Sequence, residues 1–465
     1  MKKEPIQLYN TLTRKEEVFK PINPKEIKMY TCGPTVYWYA TIGNMRTYIF
    51  SDLLKRMLQY SGYKVKQIVN ITDVGHLTDD ADQGEDKIEK ASKKENKSAK
   101  EIADHYFSVF HQDLNKLNIL EPSKWTKATT HIKEQIELIK KLEKKGFTYK
   151  TSDGIYFNTL KLKDYGKLAN LNIKELKAGK RIQIGDKKSK TDFALWKFSK
   201  ENEKRQQEWK SPFGIGFPGW HIECSAMSMK YLGTHFDIHT GGQDHIPIHH
   251  TNEIAQSEAA TGKKFVNYWL HGAFLLFNGD KVSKSSGGLY TIKELEDLGY
   301  NPLHYRYLCL QTHYKKPLNF TLEALDASKN AYENIKKKII VLRKNYYKGK
   351  DETEKYQSSF NNAIYSDLNI PNALQIFHTA LDDLDFDSKK KLKLLESFDK
   401  ILGLNIEDMK EEKLIIPKEI KDLANEREKL RQAKMWEDAD LFRKRIEEKG
   451  FKLIDSSEGT KLEKI

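Results

Sequence analysis

His249 and Glu253, in the run His249-His250-Thr251-Asn252-Glu253, stand four residues apart. A helix presents such a pair on one face, where both side chains can serve one metal ion. A solvated or hydrogen-bonded pair has the same spacing, so the spacing alone leaves both readings open. Two thiols could complete a set of four: Cys32, just after a short strand, and Cys224 in Gly219-Trp220-His221-Ile222-Glu223-Cys224. Each thiol taken singly is more often a small buried hydrophobe than a ligand. Phosphate chemistry is suggested at two further places. Thr41-Ile42-Gly43-Asn44 opens an amphipathic helix, and a helix N-terminus gathers unpaired N–H groups and partial positive charge that receive an anion. Gly43 would allow close approach there and Asn44 could cap. Lys281-Val282-Ser283-Lys284-Ser285 sets two lysines three apart in a glycine-flanked loop, where ammonium groups can neutralise charge on a transferring or leaving phosphate. An ordinary capped turn and a solvated basic loop are the plain alternatives.

Such side chains need a scaffold, and the apolar pattern supplies one. Glu26–Thr31 reads as a strand ending in the turn Cys32-Gly33-Pro34. Apolar residues then recur at Ile49, Phe50, Leu53, Leu54, Met57 and Leu58 in a helical stripe that Gly62 ends, and residues 64–72 form the next strand. Strand, glycine-bearing turn, helix, strand is the first unit of a nucleotide-binding α/β domain. Helices are expected near residues 86–94, 98–117 and 131–145. Residues from about 120 to 220 read as an insertion, with a strand at 154–158. The alternation resumes with strand 236–239, a turn at Gly241-Gly242, helix 249–261 and a strand-rich segment 265–277. Beyond Thr291 the pattern is mostly helical, with a linker near 349–354, a charged helix pair within 418–449 and a final turn at Glu458-Gly459.

The whole chain has 465 residues, 38% hydrophobic and 31% charged. That is a globular composition of roughly three domains, and it argues against a disordered or collagen-like chain. Apolar runs such as Phe274-Leu275-Leu276-Phe277 are far short of the ~20 residues a membrane helix needs, and the start of the sequence has no signal-like apolar run. Three widely separated cysteines exclude a disulfide framework, so a reducing, cytoplasmic setting is expected. The formal charge of +14 favours a polyanionic partner, although a generally lysine-rich proteome would give the same excess.

Seven segments in order carry a family resemblance: Cys32-Gly33-Pro34-Thr35-Val36-Tyr37, Thr41-Ile42-Gly43-Asn44, Asn70-Ile71-Thr72-Asp73, Thr191-Asp192-Phe193-Ala194-Leu195-Trp196-Lys197, Gly219-Trp220-His221-Ile222-Glu223-Cys224-Ser225-Ala226-Met227, His249-His250-Thr251-Asn252-Glu253 and Lys281-Val282-Ser283-Lys284-Ser285. Together they resemble the cysteinyl-tRNA synthetases, of the class I aminoacyl-tRNA synthetases, nearly end to end. The resemblance implies a Rossmann-type α/β catalytic domain with an insertion, followed by a mostly helical C-terminal region. Its parts would be 1–120 and 221–290 as the two catalytic halves, 121–220 as the insertion and return, 291–348 as a stem-contact region, 349–410 as a helical bundle and 411–465 as an anticodon-binding domain.

It implies one Zn²⁺ per chain on Cys32, Cys224, His249 and Glu253, a donor set that suits zinc and leaves room for a substrate thiolate. It implies that Gly33, Thr72 and Trp220 line the amino-acid pocket and that Gly242 and Asp244 hold the adenosine ribose. Thr41, Asn44, Lys281 and Lys284 would serve the ATP phosphates, with Mg²⁺ accompanying ATP. The partners implied are L-cysteine, ATP and tRNA-Cys, handled by a monomer with no membrane association. Arg427, Arg431, Trp436 and Arg443 are candidates for RNA contact. Thr41 departs from the histidine that begins the first family signature, and Val282 replaces a methionine in the second. The acidic stretch 75–82 is assigned no role. Two other functions share part of the pattern: a ligase joining activated cysteine to a small amine, which residues 350–465 argue against, and a non-catalytic RNA-binding relative, which Thr41 and the positive charge would suit.

Overall fold

Strands and helices alternate through the first half of the chain because their apolar periods do. A computed structural model describes residues 4–75, 86–171, 186–200, 205–277, 280–281, 290–411, 416–456 and 459–464. The chain forms two compact units, Met1–Glu407 and Asp408–Ile465.

In the first unit a hairpin of β1 (Gln7–Asn10) and β2 (Lys15–Val18) precedes β3 (Glu26–Thr31). β3 feeds α1 (Ile42–Tyr60), which buries the stripe from Ile49 to Leu58 that its periodicity predicts. β4 (Lys64–Ile71) returns parallel to β3. Then come α2 (Lys87–Glu95) and α3 (Ala99–Lys116), whose N-termini are capped by the Asp86 and Ser98 side chains. β5 (Lys124–Lys127) adds to the sheet edge as a parallel neighbour of β4. Only four residues long, β5 shows no apolar alternation, and the sequence pattern does not announce it.

After α4 (Ile132–Lys144) five short strands form a separate antiparallel sheet: β6 (Thr148–Lys150), β7 (Gly154–Phe157), β8 (Phe193–Phe198), β9 (Trp209–Ser211) and β10 (Gly214–Pro218). Phe157, Phe193 and Trp196 from this sheet share a core with Ile139 and Leu142 of α4. α5 (Trp220–Leu232) then leads to β11 (Phe236–Gly242), α6 (His249–Thr261) and β12 (Val266–Gly272).

The central sheet is all parallel, in the order β12-β11-β3-β4-β5. From β3 the chain proceeds outward to β4, and from β11 it proceeds the other way to β12. A crevice therefore opens at the carboxyl ends of β3 and β11, where the winding reverses. Cys32-Gly33 follow β3 at that crevice and Gly241-Gly242 end β11. The glycine pair is not a turn, as its residue types suggested: Gly241 and Gly242 are paired with His271 and Gly272 in the ladder. Glycine is required at 241 because a Cβ there would lie 2.6 Å from His250 Cε1.

The rest of the first unit is helical, apart from a small sheet of β13 (Leu275–Phe277), β14 (Asp280–Lys281) and β15 (Leu318–Phe320). Its helices are α7 (Ile292–Asp297), α8 (Pro302–Leu310), α9 (Leu322–Lys344), α10 (Thr353–Tyr365), α11 (Ile370–Asp382) and α12 (Ser388–Leu402). A buried ionic knot joins them to the α/β part of the unit. Arg306 of α8 and Arg56 of α1 both reach Asp52 Oδ2, at 2.7 and 2.8 Å, and Arg306 also donates to the carbonyls of Leu117 and Leu402. Burial alone would raise Asp52, but the two guanidiniums and the Leu120 N–H overturn that and hold it below the ordinary carboxylate value.

In the second unit α13 (Lys418–Gln432) and α14 (Trp436–Glu448) pack with the hairpin β16 (Phe451–Ser456) and β17 (Gly459–Lys464) around Ile420, Ile446, Phe451 and Leu453. Arg427, Arg431 and Arg443 converge on Asp455, at 2.7 to 2.9 Å. Arg427 is buried, so its guanidinium is committed to this unit's own structure, whereas Trp436 is exposed. Among the described residues, no helix is long and apolar enough to cross a membrane.

Candidate active site and metal centre

Three pieces of the switch-point crevice deliver the four candidate metal ligands. Cys32 leaves the end of β3, Cys224 projects from the middle of α5, and His249 and Glu253 occupy the first turns of α6. Their ligand atoms all lie within 4.8 Å of one another, and all four residues are buried. His249 Nε2 stands 3.1 Å from Glu253 Oε1, as the four-residue spacing requires on a helix.

Burial alone would depress His249, but hydrogen bonding and charge from Cys224 and Glu253 lift it to about 10. Glu253 would be raised by burial, yet His239 and His249 bring it down to about 2, so it is a carboxylate. Burial also opposes ionisation of both thiols. Cys32 is driven well up, while the hydrogen bond from Cys32 and the charge of His249 pull Cys224 below the ordinary thiol value. Two thiols, a histidine ring and an ionised carboxylate, all four buried, are a donor set for a borderline-soft divalent cation. The residues therefore fit zinc.

A further layer surrounds the four. His239 Nε2 lies 3.1 Å from Glu253 Oε2, and His250 Nε2 lies 3.2 Å from Cys32 Sγ. His250 Nδ1 meets His271 Nε2 at 2.7 Å, and His271 Nδ1 meets Thr11 Oγ1 at 2.8 Å. Partners of this kind fix ligand orientation. They were missed in the sequence because no spacing links them: His239 is on β11 and His271 on β12. His250 adjoins His249 in the sequence, and adjacency alone does not mark it as a partner of Cys32. Glu223, fully buried on α5, accepts from Thr72 Oγ1 at 3.2 Å, a contact between α5 and the end of β4 that no local spacing encodes.

A cavity of about 580 Å³ opens over Cys32, Cys224 and His249. That volume is in the usual range for a small-molecule site. Gly33, Thr72 and Trp220 line it, and so do Thr41, Asn44, Gly242 and Asp244. Trp220 lies against His249, with ring centroids 4.2 Å apart. Gly33 donates its N–H to Asn70 Oδ1 at 2.7 Å, and Asn70 Nδ2 donates to Thr72 Oγ1 at 3.1 Å. At the start of α1, Thr41 is the N-cap and Asn44 the third helical residue. Asn44 Oδ1 accepts from Thr41 N and Thr41 Oγ1 at 2.9 and 3.0 Å, so Thr41 holds the cap position and Asn44 braces it. Of the second signature, Lys281 lies in β14 opposite Leu276. The Lys281 side chain, Lys284 and residues 76–82 of the acidic stretch lie outside the described residues.

Residues 18–330 match the family model for the class I (C) tRNA synthetase catalytic domain. The cysteine–tRNA ligase 1 of Burkholderia lata is 47% identical over 462 residues, covering 98% of this chain and 97% of the relative. The chain belongs to the cysteine–tRNA ligase family. The family's Treponema denticola member is 42% identical over 490 residues, covering 99% of this chain and all of the relative. The methionyl-tRNA synthetase of Mycobacterium tuberculosis, solved in complex with methionyl-adenylate, aligns with a TM-score of 0.56 over 82% of this chain and 90% of its own. At 13% identity that likeness concerns the fold alone: a class I α/β catalytic core with a helical C-terminal region. Thr41 spends the one donor of its hydroxyl on Asn44 Oδ1.

Proposed function

We propose that this family member activates L-cysteine with ATP, giving cysteinyl-adenylate and pyrophosphate, and then passes the cysteinyl group to the 3′ end of tRNA-Cys with release of AMP. The observation that carries the reading is one cavity bounded both by a thiol-bearing ligand set and by a helix N-terminus. Cys32, Cys224, His249 and Glu253 would hold one zinc ion, which when bound supplies a Lewis acid with affinity for a thiolate. Serine differs from cysteine by oxygen for sulfur, and an apolar pocket separates such near-isosteres poorly. A hydroxyl stays protonated and is a weak ligand, so selection by sulfur needs no editing site.

The chain's own residues do the rest. Gly33, Thr72 and Trp220 wall the amino-acid pocket, and Trp220 holds the His249 ring in place. The first turn of α1, with Thr41 and Asn44, receives the ATP phosphates and their Mg²⁺. Gly242 lets the backbone approach the ribose beside Asp244. Lys281 and Lys284 neutralise charge on the departing pyrophosphate. The working unit is one chain, in the cytoplasm.

ATP–pyrophosphate exchange tests this directly. Exchange should require cysteine, ignore serine, cease on chelation and return with zinc. Absence of cysteine-dependent exchange from zinc-loaded protein would overturn the ligase reading. Equal exchange with serine would overturn only the selection by sulfur.

A further inference from the structure

We propose that Trp38 and Tyr39 form a stacking platform for the unpaired 3′ nucleotides of the tRNA, with Lys87 and Lys94 placed to take their phosphates. The inference rests on the ligase reading and names the surface by which the RNA end reaches that site. None of these four side chains is used in the chemistry described above. Trp38 and Tyr39 are 45% and 40% exposed, two large rings side by side at the mouth of the cavity whose floor holds Cys32 and Cys224. They sit in the loop between β3 and α1, six and seven residues beyond Cys32.

The rings are braced. Their centroids are 5.5 Å apart at 73°, and both lean on the buried Tyr106 of α3, at 5.8 and 5.0 Å. Tyr106 is fixed in turn by its hydroxyl, which donates to Glu95. Rings held in advance lose little freedom when a base arrives. Because they stand at 73°, one flat base stacks on only one of them, whereas successive bases of a bending strand can use both. A triphosphate directed to the start of α1 brings a single base.

Charge completes the match. Lys94 Nζ lies 5.0 Å from the Trp38 ring centroid and Lys87 Nζ 5.7 Å from that of Tyr37. Both lysines project from α2, whose sequence Lys87-Ile88-Glu89-Lys90-Ala91-Ser92-Lys93-Lys94-Glu95 carries four lysines against two glutamates. Aromatic rings interleaved with flexible cations are the pattern by which proteins bind single-stranded nucleic acid, the ring taking the base and the cation the backbone. An unpaired RNA end meets both requirements, and it must reach this cavity to accept an aminoacyl group.

The test is equilibrium filter binding of the full chain to a tRNA-Cys transcript, intact or lacking its unpaired 3′ nucleotides. Trp38→Ala and Tyr39→Ala should each weaken binding of the intact transcript about tenfold, the order produced by loss of one base–aromatic stack, and leave the shortened transcript unaffected. Trp38→Phe should restore most of the loss. Lys87→Ala with Lys94→Ala should reduce the salt dependence for the intact transcript only. Equal weakening of both transcripts by Trp38→Ala, or no weakening of either, would overturn the platform. So would a raised KM for ATP in exchange with RNA binding unchanged, which would make the rings an adenine site. Cysteine-dependent exchange by the unaltered protein, measured alongside, separates the two proposals. Its absence with 3′-dependent binding retained removes the ligase reading, and its presence without 3′ dependence removes the platform.

Discussion

Gly33 stands where any Cβ would lie 1.7 Å from the carbonyl oxygen of Asn70. No rotamer relieves that clash, because the obstacle is backbone; the loop after β3 must move instead. The same Asn70 side chain holds both Gly33 and Thr72, so a displaced loop shifts two walls of the cavity together. Displacement of about 1 Å near a reacting group costs on the order of 10²-fold in rate. Gly33→Ala should therefore lower kcat/KM for cysteine in the exchange reaction about 100-fold, while circular dichroism reports a folded chain. A loss below threefold would mean that the loop yields freely and that this close approach does not shape the pocket. At this scale the sequence was only partly legible. His249 and Glu253 are joined by helical spacing, which a reader can see. The contact of Glu253 with His239 crosses from α6 to β11, and no local spacing encodes it.

Among the elements, α3 carries a group that works against its own burial. Asp113 is buried on the face that α3 turns inward, and loss of water lifts its carboxyl from the ordinary 3.8 to about 6, with Lys116 nearby only partly offsetting the effect. The folded chain thus holds a proton that the unfolded chain releases between these two values. Stability falls as pH rises through that window, and above about 6 the whole penalty applies. The shift corresponds to ~3 kcal/mol at most, and solvent screening brings it to about 1–2 kcal/mol. Asp113→Asn should accordingly raise the melting temperature at pH 7.5 and leave it nearly unchanged at pH 4. Thermal melts at the two pH values check this, and an equal shift at both would show that the carboxyl is not the source. Elements such as α3, with Ser98 capping and a regular apolar stripe, were legible because local signals and burial agree. The end of β11 was not: Gly241-Gly242 looks like a turn to any local rule, and only the approach of α6 explains why a strand ends in two glycines.

For the whole molecule the informative quantity is where its charge lies. Residues 408–465 carry 15 basic and 15 acidic side chains, so the excess of +14 belongs entirely to residues 1–407. In the second unit, moreover, three arginines are engaged by a single carboxylate, Asp455. Long-range attraction for a polyanion therefore originates in the unit that holds the cavity, and the balanced second unit adds none by net charge. Counterion release makes such attraction steeply dependent on salt: log K falls linearly with log salt, and ~6 neutralised phosphates cost about 10³-fold in affinity between 50 and 200 mM. Binding of tRNA-Cys should follow that line. Exchange with cysteine and ATP, which involves no polyanion of that length, should change by less than about twofold over the same range. Charge-neutralising substitutions among the lysines of α2 should flatten the line, and equivalent substitutions at exposed lysines of α13 should leave it nearly unchanged. A line of near-zero slope, or one flattened equally by both sets, would show that the excess charge of the first unit is a property of composition and takes no part in gathering RNA.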